Sequence, residues 1–174
     1  MNKLIALTVS MLIIGIGISP AINAQVEEVS IRVDGLSCPF CAYSLEKKLK
    51  KIDGVGNVKI NIDKGVAKLQ SKKAESIVFE GLKDAVADAG FTPRKITAIV
   101  VGEVENLGDF VVLKIRNSDF MLILKDNDQL EELRSKLQDT ETQIRVKGVL
   151  TYVAPEGHNN HPYTLSIESF NVIS

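Results

Sequence analysis

The sequence predicts an α+β protein in which a split βαβ unit is followed by a small, mostly β barrel. Residues 28–97 alternate between strand patterns of period two and two helical patterns, whereas most apolar runs after residue 98 have strand character. The 174 residues are enough for two small domains, and 45% apolar with 25% charged residues is typical of a globular chain. The net charge of −1 and the absence of Trp argue against nucleic-acid binding.

The first 24 residues are predicted to be a secretory signal peptide. Lys3 provides a positive start, an apolar run extends from Leu4 to Ile18, and the small residues at 21–24 suit cleavage. The apolar run is shorter than the roughly 20 residues that a membrane-spanning helix needs. We therefore expect a mature protein that begins near Gln25, spans no membrane and is periplasmic or secreted. An uncleaved N-terminal anchor is the alternative.

The first unit, residues 25–97, reads strand, helix, strand, strand, helix, strand. The first helix is predicted to begin near Pro39 and to end at Asp53-Gly54, and a second helix is predicted from about Glu75 to Ala89. The apolar face of the first helix is expected to contain Cys41, Leu45, Leu49 and Ile52. This element order is the ferredoxin-like βαββαβ arrangement.

The second unit, residues 98–174, reads as three strands, a helix capped within 126–128, and two more strands. This is the element order of an OB-like barrel, and a small open sandwich is the alternative. The linker is so short that the last strand of the first unit is expected to run almost directly into the second unit. No catalytic signature is present there, so fold analogy alone suggests an interaction or scaffold module.

Cys38 and Cys41 are the only cysteines in the chain. A disulfide between them would close a very small loop and add little stability, so a chemical role is the better explanation. Two thiolates at a strand-to-helix junction can bind one soft ion, such as Cu(I) or Hg(II). The N-terminus of the following helix favours the thiolate form. No Asp, Glu or His adjoins either cysteine, which disfavours Zn(II) because zinc usually takes four ligands.

Residues 28–97 resemble a heavy-metal-associated (HMA) domain, the module of copper chaperones, P-type metal ATPases and periplasmic mercury-binding proteins. Three segments support the resemblance, namely Val33–Cys41, Ile52–Val55 and Ala85–Phe91. It implies a ferredoxin-like fold, metal binding by Cys38 and Cys41, and no enzymatic activity. It also implies metal transfer by ligand exchange with a donor or acceptor protein, such as a membrane metal transporter.

Four other residues are predicted to support the metal loop. Gly35 lets the loop bend without a side-chain clash. Leu36 stands where the family usually has Met, a change that conserves volume. Ser37 stands where the family has Thr, or Asp in zinc-type members, which again disfavours Zn(II). Phe91 matches a position where the family often has an aromatic residue packed near this loop.

Three alternatives stay open at this level. Cys38-Pro39-Phe40-Cys41, with Thr92-Pro93 as a possible cis-proline partner, also resembles the motif of a thiol–disulfide oxidoreductase. Lysines of the first helix could form a docking face for an acidic partner, or only a solvated face; they are Lys47, Lys48, Lys50 and Lys51. His158 and His161 could form a second metal site, or belong to a polar surface loop.

Overall fold

A computed structural model describes residues 25–73, 75–115, 120–137, 142–153 and 163–173. The elements of these residues are, in order, β1 (Val26–Asp34), α1 (Pro39–Leu49), β2 (Val55–Asn61), β3 (Val66–Ser71), α2 (Leu82–Asp88), β4 (Thr92–Leu107), β5 (Phe110–Lys114), β6 (Met121–Leu124), α3 (Asp128–Lys136), β7 (Gln143–Tyr152) and β8 (Tyr163–Ile173). The predicted signal peptide at 1–24 and the predicted histidine site at His158 and His161 lie outside the described residues. Within the described ranges, no helix has the length and apolar character of a membrane span.

The first unit is an antiparallel sheet with strand order β2-β3-β1-β4 and two helices packed on it. The period-two pattern of β1 places Val29 and Ile31 in the core, where both are fully buried. Leu45 and Leu49 of α1 and Val86 of α2 are also fully buried in this core. The predicted ferredoxin-like arrangement is therefore confirmed for this part of the chain.

The fourth strand belongs to both units. Along one edge, β4 pairs with β1 through residues 92–100 and then with β5 through residues 103–107. Along its other edge, residues 96–103 pair with β7. The predicted boundary after residue 97 thus falls inside a 16-residue strand, and the division into two domains stays a prediction.

Five strands close into a barrel with the order β4-β5-β6-β8-β7, and β7 returns to pair with β4. The pairing of β6 with β8 is parallel, and the other pairings in the ring are antiparallel. The alternative of an open sandwich is therefore wrong, while the OB-like identity of the barrel stays a prediction.

The helix α3 lies between β6 and β7 in the chain and begins as predicted. Asn127 is its N-cap, and the Asn127 side-chain oxygen accepts a hydrogen bond of 2.9 Å from the backbone N–H of Leu130. Leu130 and Leu133 are fully buried, which anchors α3 on the barrel.

The predicted start of α2 at Glu75 is wrong, because the helix begins at Leu82. Ser76 Oγ accepts hydrogen bonds from the backbone N–H groups of Gln25 and Val26, at 3.2 and 3.3 Å. The backbone N–H of Val78 donates to the carbonyl of Asp53 at 3.1 Å. These long-range bonds hold residues 75–79 outside the helix. Apolar spacing alone predicted a helix here because it contains no information on such contacts.

Candidate metal centre

The two cysteines lie where β1 leads into α1. Cys38 is the N-cap residue of α1, with an extended backbone at φ −125° and ψ 129°, and Pro39 follows in the first turn. The backbone N–H of Ala42 donates to the Cys38 carbonyl at 3.0 Å, which is the first hydrogen bond of the helix. Cys41 therefore lies in the first turn, and both sulfur atoms are presented at the helix N-terminus as predicted.

The exposure of the two cysteines corrects one part of the sequence prediction. Cys41 was expected on the apolar face of α1, but it is exposed, and the buried face consists of Ala42, Leu45 and Leu49. The expected end of the helix at Asp53-Gly54 is also wrong, because α1 ends at Leu49. Cys38 is half-buried, and both cysteines are free thiols. Both sulfur atoms are thus available to a ligand from solution.

The two thiols have different proton affinities. The Cys41 side chain donates a hydrogen bond that lowers the pKa of Cys38, and the backbone N–H groups of Cys41 and Phe40 lower it further. The same side-chain hydrogen bond raises the pKa of Cys41, as do a small loss of hydration and the nearby charge of Cys38. Of the two thiols, Cys38 is therefore the one that ionises more readily.

Three of the four predicted support residues pack around the loop. Gly35 has φ +87°, a conformation that residues with a side chain rarely adopt. A Cβ atom at Gly35 would lie 3.7 Å from Cδ1 of Phe91, so the Phe91 ring covers this turn. Leu36 is buried, whereas Ser37 is exposed. The supporting roles of these four residues stay predictions.

The surface next to the cysteines contains residues that sequence reasoning missed. The side chain of Phe40, between the two cysteines, is 88% exposed, and Tyr43 is 58% exposed. The position of Phe40 inside the motif was a signal that could have identified it. Arg94 donates to Asp34 at 2.6 Å beside the loop, and nothing local in the sequence indicates this pair because 60 residues separate its members.

The four lysines of the predicted docking face have different environments. Lys47 lies over the Tyr43 ring with its Nζ 4.6 Å from the ring centroid. Lys48 pairs with Asp88 at 3.4 Å, and Lys50 pairs with Glu46 at 2.6 Å. Two of these four charges therefore have acidic partners within the chain.

The candidate metal centre has few side chains that could bind a metal ion. Among the described residues, no group of three or more His, Cys, Asp or Glu side chains is close enough to hold a metal ion. The predicted His158 and His161 site is outside these residues. Within the described part of the chain, the centre offers the two sulfur atoms of Cys38 and Cys41.

The part of the chain that contains Cys38 and Cys41 is similar to known proteins. The model of the heavy-metal-associated domain family matches residues 30–92. The copper chaperone CopZ of Staphylococcus epidermidis is 30% identical over 61 residues, which cover 35% of this chain and 88% of the chaperone. Human copper-transporting ATPase 2 is 31% identical over 90 residues, which cover 50% of this chain and 6% of the ATPase. The solved structure of a CopZ metallochaperone has 28% identity and a TM-score of 0.35, and the match covers 38% of this chain and 98% of that chain.

Proposed function

Because this chain belongs to the heavy-metal-associated domain family, we propose that it binds Cu(I) through Cys38 and Cys41 and passes the ion to a membrane metal transporter. The observation that supports this proposal is the pair of accessible sulfur atoms at the N-terminus of α1, within the matched residues. Their role would be binding and transfer, without catalysis.

The choice of Cu(I) follows from ligand chemistry. Thiolates are soft ligands, and two of them suit an ion that accepts low coordination numbers. Hg(II) also accepts two thiolate ligands. We favour Cu(I) because the two similar proteins described above are a copper chaperone and a copper-transporting ATPase. Zn(II) is disfavoured because it usually takes four ligands.

Transfer would proceed by stepwise ligand exchange. A thiolate of the partner forms a bond to Cu(I), which gives a three-coordinate intermediate. The bond from Cu(I) to Cys41 then breaks, and Cys41 takes up a proton, which its raised pKa favours. The bond to Cys38 breaks last, and no electron is transferred. The exposed Phe40 ring lies beside these sulfur atoms and is available for contact with the partner.

Native mass spectrometry of the anaerobically reduced protein, titrated with Cu(I), Hg(II) and Zn(II), tests this proposal. We expect one tightly bound Cu(I), weaker binding of Zn(II), and loss of the bound ion in the Cys38→Ser, Cys41→Ser double variant. Ser44→Ala, at an exposed position of α1 outside the metal loop, is the matched control and should bind as the unchanged protein does. A double variant that bound one tight equivalent would contradict the proposal.

We also propose that the protein is exported, as the N-terminal pattern at residues 1–24 suggests. N-terminal sequencing of the protein from a cell fraction tests this. A periplasmic or secreted chain that begins near Gln25 would support export, and a cytosolic chain that retains residues 1–24 would contradict it.

One observation favours a second function, that of a thiol–disulfide oxidoreductase. A Cys-x-x-Cys pair with one lowered and one raised thiol pKa suits a nucleophilic cysteine with a resolving partner. The predicted cis-proline partner of this motif is wrong, because the Thr92–Pro93 peptide bond is trans. Insulin reduction assays distinguish the two functions. Catalytic turnover by the unchanged protein, lost in Cys38→Ser, would favour the oxidoreductase over the metal-binding function.

For the second unit we propose an OB-like interaction module. The closed ring order β4-β5-β6-β8-β7, with α3 between β6 and β7 in the chain, supports this assignment. Deletion of the residues after 98 would cut β4 and remove β7, which pairs with residues 96–103 of β4. The role of the barrel must therefore be tested in the full chain.

A further inference from the structure

One end of the barrel is closed by an aromatic side chain of the first unit. At this end β7 finishes at Tyr152, β8 begins at Tyr163, and Phe120 precedes β6. Phe79, from the segment before α2, is 4% exposed, and its ring centroid lies 5.7 Å from that of Phe120 and 5.6 Å from that of Tyr163. Phe79 thus joins the first unit to the barrel.

A cavity of about 330 Å³ opens beside Phe79. Apolar and aromatic side chains form its walls, namely Phe79, Ile96, Leu150, Tyr152 and Tyr163. The rings of Tyr152 and Tyr163 meet at 68° with centroids 5.4 Å apart, so they form a corner rather than a stack. Tyr152 is 48% exposed, which leaves part of its ring free for contact. This volume falls within the range of sites for small molecules.

The rim of the cavity has a net negative charge. Glu80, Lys83 and Asp84 line it, and all three are exposed. Among the described residues, neither Glu80 nor Asp84 forms a salt bridge. Burial raises the pKa of Tyr163 to about 12, and the charges of Glu80 and Asp84 contribute to this shift. Their negative potential therefore extends to the aromatic wall.

We propose that this cavity binds a small organic cation with apolar substituents, such as an alkylated ammonium ion. Aromatic faces attract cations through their quadrupole, and this attraction is strongest when the cation is partly removed from water. The carboxylates of Glu80 and Asp84 at the rim compensate the positive charge. The alkyl groups of the ligand replace water against Ile96 and Leu150. Neither Cys38 nor Cys41 lines this cavity.

Titration with tetramethylammonium, followed by proton NMR of its methyl resonance and by tyrosine fluorescence, tests the proposal. We expect saturable binding with an upfield shift of the methyl signal, caused by the aromatic rings. Tert-butanol is an uncharged compound of similar shape, and we expect it to bind about tenfold more weakly or worse. Equal binding of both compounds, or no saturable binding of tetramethylammonium, would overturn the proposal.

Three variants locate the site. Glu80→Gln with Asp84→Asn removes the rim carboxylates at exposed positions, and Tyr152→Leu removes the exposed ring; each should weaken binding about tenfold. Tyr43→Leu removes an exposed tyrosine on α1 and should leave binding unchanged. If the carboxylate variant bound as tightly as the unchanged protein, charge would not contribute and the proposal would fail. A tenfold preference for N-acetylarginine amide over tetramethylammonium would also overturn it in favour of a peptide side chain.

Discussion

At the scale of single residues, the candidate centre depends on the first turn of α1. Pro39 begins the helix, Cys38 caps it, and Cys41 is placed one turn further on. These positions could be predicted because a Pro at the start of a helix and a three-residue spacing are local features. The opposite pKa shifts of the two cysteines could not be predicted, because they depend mainly on the hydrogen bond between their side chains.

We expect Cys38 to react with iodoacetamide faster than Cys41 in the metal-free, reduced protein near neutral pH. The lowered pKa of Cys38 gives it the larger thiolate fraction, and the thiolate is the reactive form. The ratio of the two rates should fall as the pH rises and Cys41 also ionises. Mass spectrometry of the alkylated peptides measures both rates.

The Cys38→Ala variant, which has no polar side-chain atom at this position, provides the control for this experiment. Cys38 is the source of two effects that raise the pKa of Cys41, the side-chain hydrogen bond and the nearby charge. Their loss should make Cys41 more reactive than it is in the unchanged protein. Equal alkylation of both cysteines in the unchanged protein would show that their pKa values do not differ.

A second prediction at this scale concerns Tyr163. Its pKa is raised to about 12, mainly by burial, so the folded protein holds the phenol proton more tightly than the unfolded chain does. The resulting stability is fully present below the unfolded pKa of 10 and is lost as the pH rises toward 12. Ultraviolet absorbance of the phenolate measures the pKa of Tyr163, and urea unfolding at each pH measures the loss of stability. A Tyr163→Phe variant should lose less stability over the same interval.

At the scale of elements, the segment before α2 differs most from the sequence prediction. Apolar spacing predicted a helix from Glu75, but residues 75–79 belong to no helix or strand, with Ile77 and Phe79 buried and Val78 partly exposed. Hydrogen bonds to Gln25, Val26 and Asp53 attach residues 76–78 to the start of β1 and to the turn before β2. Gly81, with φ +76°, then provides the turn into the helix.

The Phe79→Ala variant should lose about 3 to 5 kcal/mol of unfolding free energy, because it leaves a cavity among buried aromatic rings. Val78→Ala is the matched control at the next position, where the side chain is 39% exposed. It should change stability by about 0.5 kcal/mol or less. Urea unfolding of both variants measures the difference. Similar losses in the two variants would contradict the packing of Phe79 against the barrel.

At the scale of the whole molecule, β4 is the element that joins the two units. Its residues 96–100 pair with β1 on one edge and with β7 on the other. The short linker predicted that the last strand of the first unit runs almost directly into the second unit, and the continuous strand Thr92–Leu107 agrees with this. The sequence did not predict that the same residues of β4 pair with both β1 and β7, because strand pairing is decided by residues far apart in the chain.

We expect the described residues to unfold in a single cooperative transition. Hydrogen exchange of β1 amides reports on the unfolding of the first unit, and exchange of β7 amides reports on the unfolding of the barrel. Both sets of amides should lose protection at the same urea concentration. Leu165→Ala, at a fully buried position in β8, should lower both midpoints together. Two separate midpoints, or a shift confined to β7, would show that the units unfold independently.

The sequence by itself determined the ferredoxin-like element order, the barrel strands, and the two sulfur atoms at the start of α1. These features follow from local patterns: the period of apolar residues, the capping residues and the spacing of Cys38 and Cys41. Only the tertiary structure decided that β4 is shared, that Cys41 is exposed, and that Phe79 closes one end of the barrel. Each of these depends on contacts between residues distant in the chain, and local periodicity contains no information about them.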